Sequence, residues 1–238
     1  EGDFVEATLP VAIVAGETAA DLGTELTAVS GARYHLEKLR FYVGEVALLR
    51  DDGTHEHALL LDTAGEPLAY GVHLVDAADP DSLGLSFRAP RGTYTRVELT
   101  VGVPSTCPDG ETQLNHVDAS EMAAPLDVDA DMYWSWDPGY TFFKVEGRVS
   151  IDGADEPFFY HVGEEERLMH VAVEGPLVVD EGTTAETLVV DVNRLFVTAD
   201  GQDVPRLDGD DDDRKVHSGA LSDQVKANIE QSGVLTLR

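Results

Sequence analysis

The side chains with the most chemical capability gather in one stretch, Val101–Lys144 (VGVPSTCPDGETQLNHVDASEMAAPLDVDADMYWSWDPGYTFFK). It holds the sole cysteine, Cys107, both tryptophans, Trp134 and Trp136, and His116. A loop of about 30 residues inside a compact domain is uncommon and usually functional or mobile. If Met132–Trp136 is extended, alternation puts Met132, Trp134 and Trp136 on one face, where they either plug a core or line a site. A single cysteine excludes an internal disulfide and any Cys-based zinc or iron–sulfur centre within one chain. Asp109 and Glu111 beside Cys107 would raise rather than lower a thiol pKa, which argues against a catalytic cysteine paired with His116.

Two further patterns invite metal readings. His55 and His57 form an HEH pair that could chelate at i, i+2, although beside a hairpin turn the pair also reads as a solvated strand edge. Asp127, Asp129 and Asp131 (DVDAD) suggest calcium. The EF-hand loop needs Gly at position 6 and Glu at position 12, whereas Met132 and Pro138 stand there, so only a looser calcium site survives, against a solvated loop. No G-x-S-x-G, P-loop, H-E-x-x-H or G-x-G-x-x-G is present, which removes the common hydrolytic and nucleotide-binding motifs.

The elements that must position these groups are short β-type runs punctuated by turns. Leu39–Arg50 and Glu56–Asp62 flank Asp51-Asp52-Gly53, and Phe142–Ile151 and Pro157–Val162 flank Asp152-Gly153, both strong hairpin signals. Thr93–Val103 alternates polar and apolar residues up to Pro104. Leu168–Glu174 and Thr187–Phe196 read as another strand pair around Asp180-Glu181-Gly182. Asp81–Leu85 allows one helical turn. Leu221, Val225 and Ile229 mark a C-terminal helix over Leu221–Gln231, with Ser218 or Ser222 as N-cap and Gly233 as its stop. Asp208–Asp213 (DGDDDD) reads as a solvated loop. The pattern predicts a single all-β domain over residues 1–238, a β-sandwich of antiparallel strands with long loops and a short C-terminal helix.

Composition narrows the partners. With 46 acidic and 16 basic side chains the formal charge is −30, which excludes nucleic acid and adhesion to anionic lipid, since both rest on clustered Lys and Arg. At 42% apolar residues the chain can bury a core, so the charge does not signal disorder. No apolar run approaches the roughly 18 residues of a membrane helix. Only four residues are Lys, and Asp outnumbers Glu, which suits a salt-exposed extracytoplasmic surface. A start at Glu1 without Met or a leader reads as a processed mature protein.

The ordered motifs Leu39-Arg40-Phe41-Tyr42-Val43, Gly102-Val103-Pro104, Leu114-Asn115-His116, Pro125-Leu126, MYWSWDPGY (132–140) and Tyr160-His161-Val162-Gly163 together resemble the MbnP family, over roughly Phe4–Val197. The resemblance implies a periplasmic copper-binding protein paired with a MauG-like diheme enzyme that oxidises a tryptophan to kynurenine. The chemistry has a plain rationale. An indole N–H is only a donor, whereas kynurenine offers an amine and a ketone to a metal. Carried over, Trp134 or Trp136 is the modified residue, and His116 and His161 are copper ligands. His35, just before the Arg40-Phe41 strand motif, could point into the same site, and Asn115 and Asp118 flank His116 as groups able to orient it. Cys107 could add a soft copper contact. One branch of the family follows its H-x-G motif with cysteines. Here Gly163 leads into Glu164-Glu165-Glu166, and His170 stands as a substitute contact. Competing functions are a secreted β-sandwich adhesion or ligand-binding module with a structural calcium site, and a small enzyme using a copper–kynurenine centre.

Overall fold

A computed structural model describes residues 3–104, 114–134 and 139–238; Cys107 and Trp136 lie outside the described residues. The principal strands are β1 (Phe4–Ala15), β2 (Arg33–Leu49), β3 (Val72–Asp76), β4 (Gly84–Pro90), β5 (Gly92–Val101), β6 (Thr141–Ile151), β7 (Ala154–Gly163), β8 (Met169–Val179), β9 (Leu188–Asp191) and β10 (Leu235–Leu237). Two helices, α1 (Asp211–Arg214) and α2 (Ala220–Gln231), fall between β9 and β10. Among the described residues the strands form two sheets. The seven-stranded sheet runs β10–β9–β1–β4 and ends at the short strand Leu59–Leu60; the nine-stranded sheet runs β8–β5–β2–β6–β7 and ends at Lys215–Val216. The fold is the all-β sandwich that the alternation predicts.

Period-2 alternation explains which side each residue faces. On β7, Phe158 and Tyr160 point inward and their rings meet Phe196 at 6.1 and 5.7 Å, with Tyr34 packed on Phe158. On β6, Phe143 stacks on Phe41 of β2 at 5.4 Å. Each of these buried aromatic side chains contributes on the order of 1.5–3 kcal/mol through removal from water. The intervening residues, Lys144 and Glu146 on β6 and Phe159, His161 and Gly163 on β7, therefore belong to the outer face. The candidate site lies there.

Both Asp-Gly hairpins form. Asp152 and Gly153 adopt positive φ of 50° and 83°, the geometry that matches the twist of the paired strands. Four expectations are corrected. The segment 187–196 does not pair with β8; β9 lies parallel to β1, β8 pairs with β5, and Val192–Phe196 is a 3-10 turn capped by Asp191. The sheets are consequently mixed rather than wholly antiparallel: Gly182–Thr183 and β9 lie parallel to β1, and Lys215–Val216 lies parallel to β7. The acidic tract is not all loop, because the Asp210 side chain accepts from the backbone N–H of Asp212 and Asp213 and starts α1. Helix α2 is present, but Gly219 is its N-cap and Ser222 is buried within it.

The long segment between β5 and β6 carries its own local structure. Short 3-10 turns occupy Leu114–His116, Ala119–Glu121 and Val128–Ala130, the latter two capped by Asp118 and Asp127. Two buried tyrosines tether it to the sheet. Tyr42 Oη donates to the Pro125 carbonyl at 2.8 Å, and Tyr140 Oη to the Leu126 carbonyl at 2.7 Å.

Candidate metal site

The outer face near the end of β7 is built from cross-strand rows. Arg40, Lys144 and His161 form one row across β2, β6 and β7 with Lys144 in the middle, and Lys38, Glu146 and Phe159 form the next row. The strand Lys215–Val216 adds parallel to β7, pairing Phe159 with Lys215 and Tyr160 with Val216. The next step in that register sets His217 beside His161. Their Nδ1 atoms are 3.1 Å apart, and both rings pack on Phe159, at 4.5 Å for His217 and 5.3 Å for His161.

His161 is buried, and its Nε2 lies 2.9 Å from Glu146 Oε1. The hydrogen bond from His161 holds the Glu146 carboxyl down at about 2 against the opposing effect of burial, with Lys144 and Lys38 assisting. Glu146 is therefore ionised and can only accept, so His161 donates from Nε2 and its other ring nitrogen, Nδ1, faces His217. Burial, and then the neighbouring His161, lowers the pKa of His217.

The tryptophan loop is clamped to the same face. Asp131, in the left-handed region at φ 52°, receives Lys38 Nζ at 2.5 Å and Lys144 Nζ at 3.0 Å, with Arg40 at 3.8 Å. Arg40 also donates to the Ala130 carbonyl and Lys144 to the Asp131 carbonyl, each at 2.8 Å. Burial alone would push the Asp131 carboxyl up, but the bonds from Lys38 and Lys144 outweigh it and hold the group low. Three residues on, Trp134 N donates to the Gly139 carbonyl at 3.0 Å, and the indole's six-membered ring lies directly over Gly163. Asn115 closes the loop from the other side. Its Oδ1 accepts from Tyr140 N at 3.1 Å, while among the described residues its buried Nδ2 lacks a hydrogen-bond partner.

The structure brings some sequence candidates together and separates others. Trp134 touches Gly163, two residues from His161 on the same face, and half-exposed His116 sets Nε2 3.5 Å from Glu165 Oε2, just past Gly163. Asp118 does not turn to His116; its carboxylate accepts from the Ser120 backbone and hydroxyl, which hold its pKa below the usual range. His35 is remote. It pairs with Arg148, four residues along β6 from the partner of His161, or about 13 Å at roughly 3.3 Å per residue. His170 lies on β8, at the opposite edge of the sheet from β7. Of the calcium candidates, Asp127 caps a turn and Asp131 is engaged by three cations.

Two residues that the sequence did not single out, His217 and Glu146, complete the His161 cluster. The polar–apolar–polar alternation of Lys215-Val216-His217 was the available signal, but a two-residue strand is too short to stand out from an acidic tract.

A sequence model of the MbnP family matches residues 5–217. Among solved structures, MbnP from Methylosinus trichosporium superposes with a TM-score of 0.68 at 18% identity, over 99% of this chain and 98% of that one, a likeness of fold. No curated protein matches. With the family's pattern matched over nearly its whole length, this chain belongs to the MbnP family.

Proposed function

We propose that the chain is a copper-binding protein of the cell envelope, whose site joins imidazoles to a tryptophan converted to kynurenine by a diheme partner enzyme. The observation that carries this reading is the seating of the Trp134 ring on Gly163, two residues from His161 on β7, with His116 beside Glu165 two residues further on. The donor set fits copper, which stands at the top of the divalent affinity order and is well served by imidazole. Glu146 behind His161 is the carboxylate that commonly orients a metal-bound histidine.

The seating of Trp134 suits the conversion. The atoms against Gly163, Cζ3 and Cη2, belong to the six-membered ring, which kynurenine retains. Opening the five-membered ring leaves that anchor in place and frees an aromatic amine and a ketone. Bound copper would supply an electron-accepting centre held by the chain's own nitrogens. The role is binding and delivery rather than turnover. No helix among the described residues is long and apolar enough to cross a membrane.

Copper titration of protein co-produced with the diheme partner tests the proposal. Wild type should hold one copper per chain, and His161→Gln should bind at least tenfold more weakly. Equal binding by both would overturn it.

A further inference from the structure

We infer that the cleft between β3, β4 and the segment 124–130 is a binding site for a small organic cation with an apolar body, an amine or guanidine carried on a hydrocarbon or aromatic group. The inference is independent of the copper reading. The cleft lies between β3 of the nine-stranded sheet and β4 of the seven-stranded sheet, on the far side of the long segment from Trp134 in sequence. Its volume of about 480 Å³ falls within the roughly 300–1,000 Å³ of small-ligand pockets. Leu61, Leu68, Leu74 and Pro125 give it an apolar lining, and all but Leu61 are only half-buried, so a ligand's hydrocarbon has water-exposed apolar surface to cover. The wall is fixed in advance. Tyr42 holds the Pro125 carbonyl at 2.8 Å, Arg40 the Ala130 carbonyl at 2.8 Å, and Tyr70 Oη accepts from Ala123 N at 3.1 Å.

Charge names the occupant. Asp62, Asp79, Asp81, Asp127 and Asp129 stand around this lining, and none of them pairs with a Lys or Arg among the described residues. Asp76 of the same lining is different, being held by Arg40 at 2.9 Å. Asp62, Asp79 and Asp127 each use one oxygen to accept from backbone N–H groups, which fixes the carboxylate and leaves its second oxygen for a ligand. His73 adds a neutral acceptor. Its Nε2 donates to the Ser82 carbonyl at 2.8 Å and burial lowers its pKa, so Nδ1 keeps a lone pair. The Ser82 hydroxyl is engaged with the Asp76 and Asp79 carbonyls, and that of Ser86 with Thr8. A lining rich in acceptors suits a group that only donates, an ammonium or a guanidinium, and rejects carboxylates and phosphates.

The spread of the acids favours an organic cation over a metal ion. Calcium takes about six to eight oxygens around one point. Among the described residues no three His, Cys, Asp or Glu groups are placed to hold one ion. Carboxylates dispersed about an apolar lining match a charge borne on an apolar body.

The test titrates the full chain with 4-phenylbutylamine, followed by amide chemical shifts, alongside 4-phenylbutyrate, methylamine and calcium. The first analogue reverses the charge and the second removes the body. The phenylbutylamine should shift the amides of Leu68, Leu74 and Ala124 saturably, and bind about tenfold or more tighter than either analogue. Asp81 and Asp129 are exposed and their carboxylates make no hydrogen bond among the described residues, so an Asp81→Asn, Asp129→Asn variant keeps the turn caps intact. It should match the wild-type circular dichroism and bind the amine about threefold or more weakly. Equal binding of the amine and either analogue would overturn the inference. So would shifts scattered over the acidic surface without saturation, an unchanged affinity in the folded double variant, or calcium displacing the amine from the cleft at lower concentration.

Discussion

The six-membered ring of Trp134 rests on Gly163 so closely that a methyl group at Gly163 would meet Cζ3 at 2.6 Å and the Tyr140 carbonyl oxygen at the same distance. The glycine of the H-x-G motif therefore has a steric reason. Gly163→Ala should cost about 1–3 kcal/mol by overpacking against ring and backbone. It should also displace Trp134, lowering the yield of kynurenine on co-production with the partner. Thermal unfolding and peptide mass mapping read the two effects; an alanine variant with wild-type stability and yield would show that the contact is dispensable.

Asp131 joins the tryptophan loop to the sheet through Lys38, Lys144 and Arg40. Asp131→Asn should destabilise the fold by about 1–2 kcal/mol, since charged hydrogen bonds are lost but the carboxylate is half-exposed. Buried Lys144 would keep the Asp131 carbonyl and have Glu146 as its remaining carboxylate among the described residues. Hydrogen exchange should rise at Trp134 and Gly139 more than in the β2–β6 ladder. A uniform rise across the sheet would contradict a local clamp.

Glu146 gives a pH signature. Its folded-state pKa of about 2 lies below the ordinary 4.5, so its contribution to stability is fully present above about pH 4.5 and is lost as pH falls toward 2. Wild-type melting temperature should drop through that window, and Glu146→Gln should start lower at neutral pH and fall less steeply. Parallel acid profiles for the two proteins would remove Glu146 from the account.

Charge bears on encounter. At −30, the chain should attract copper ions and a basic face of the proposed maturation partner over long range. The initial rate of tryptophan oxidation should fall several-fold between low salt and about 0.5 M, where screening shortens the reach of the field to a few ångströms. A salt-independent rate would assign docking to apolar contacts.

Legibility from sequence followed the range of the interactions. The Asp-Gly hairpins, the C-terminal helix and the alternating faces of β6 and β7 were readable because each depends on neighbours in the chain. The pairing of β9 with β1 was not, since it joins residues about 180 apart and Thr187–Phe196 looks equally good as a hairpin partner for β8. The DGDDDD tract concealed α1 because composition marks solvation while Asp210 capping acts through geometry. At the candidate site, family resemblance points to His161 and to Trp134 or Trp136. His217 was not legible, because only the sheet edge at Lys215–Val216 brings it beside His161. His35 shares a strand with the Arg40-Phe41 motif yet sits too far along it.

The central claim is tested most directly by intact mass and copper content measured on one sample, the full chain co-produced with the proposed diheme partner. The account predicts a mass about 4 Da above the encoded value, one oxygen gained and one carbon lost at a tryptophan, together with one bound copper per chain. A mass that never shifts, with copper bound no better than by the His116→Ala, His161→Ala double variant, would contradict it.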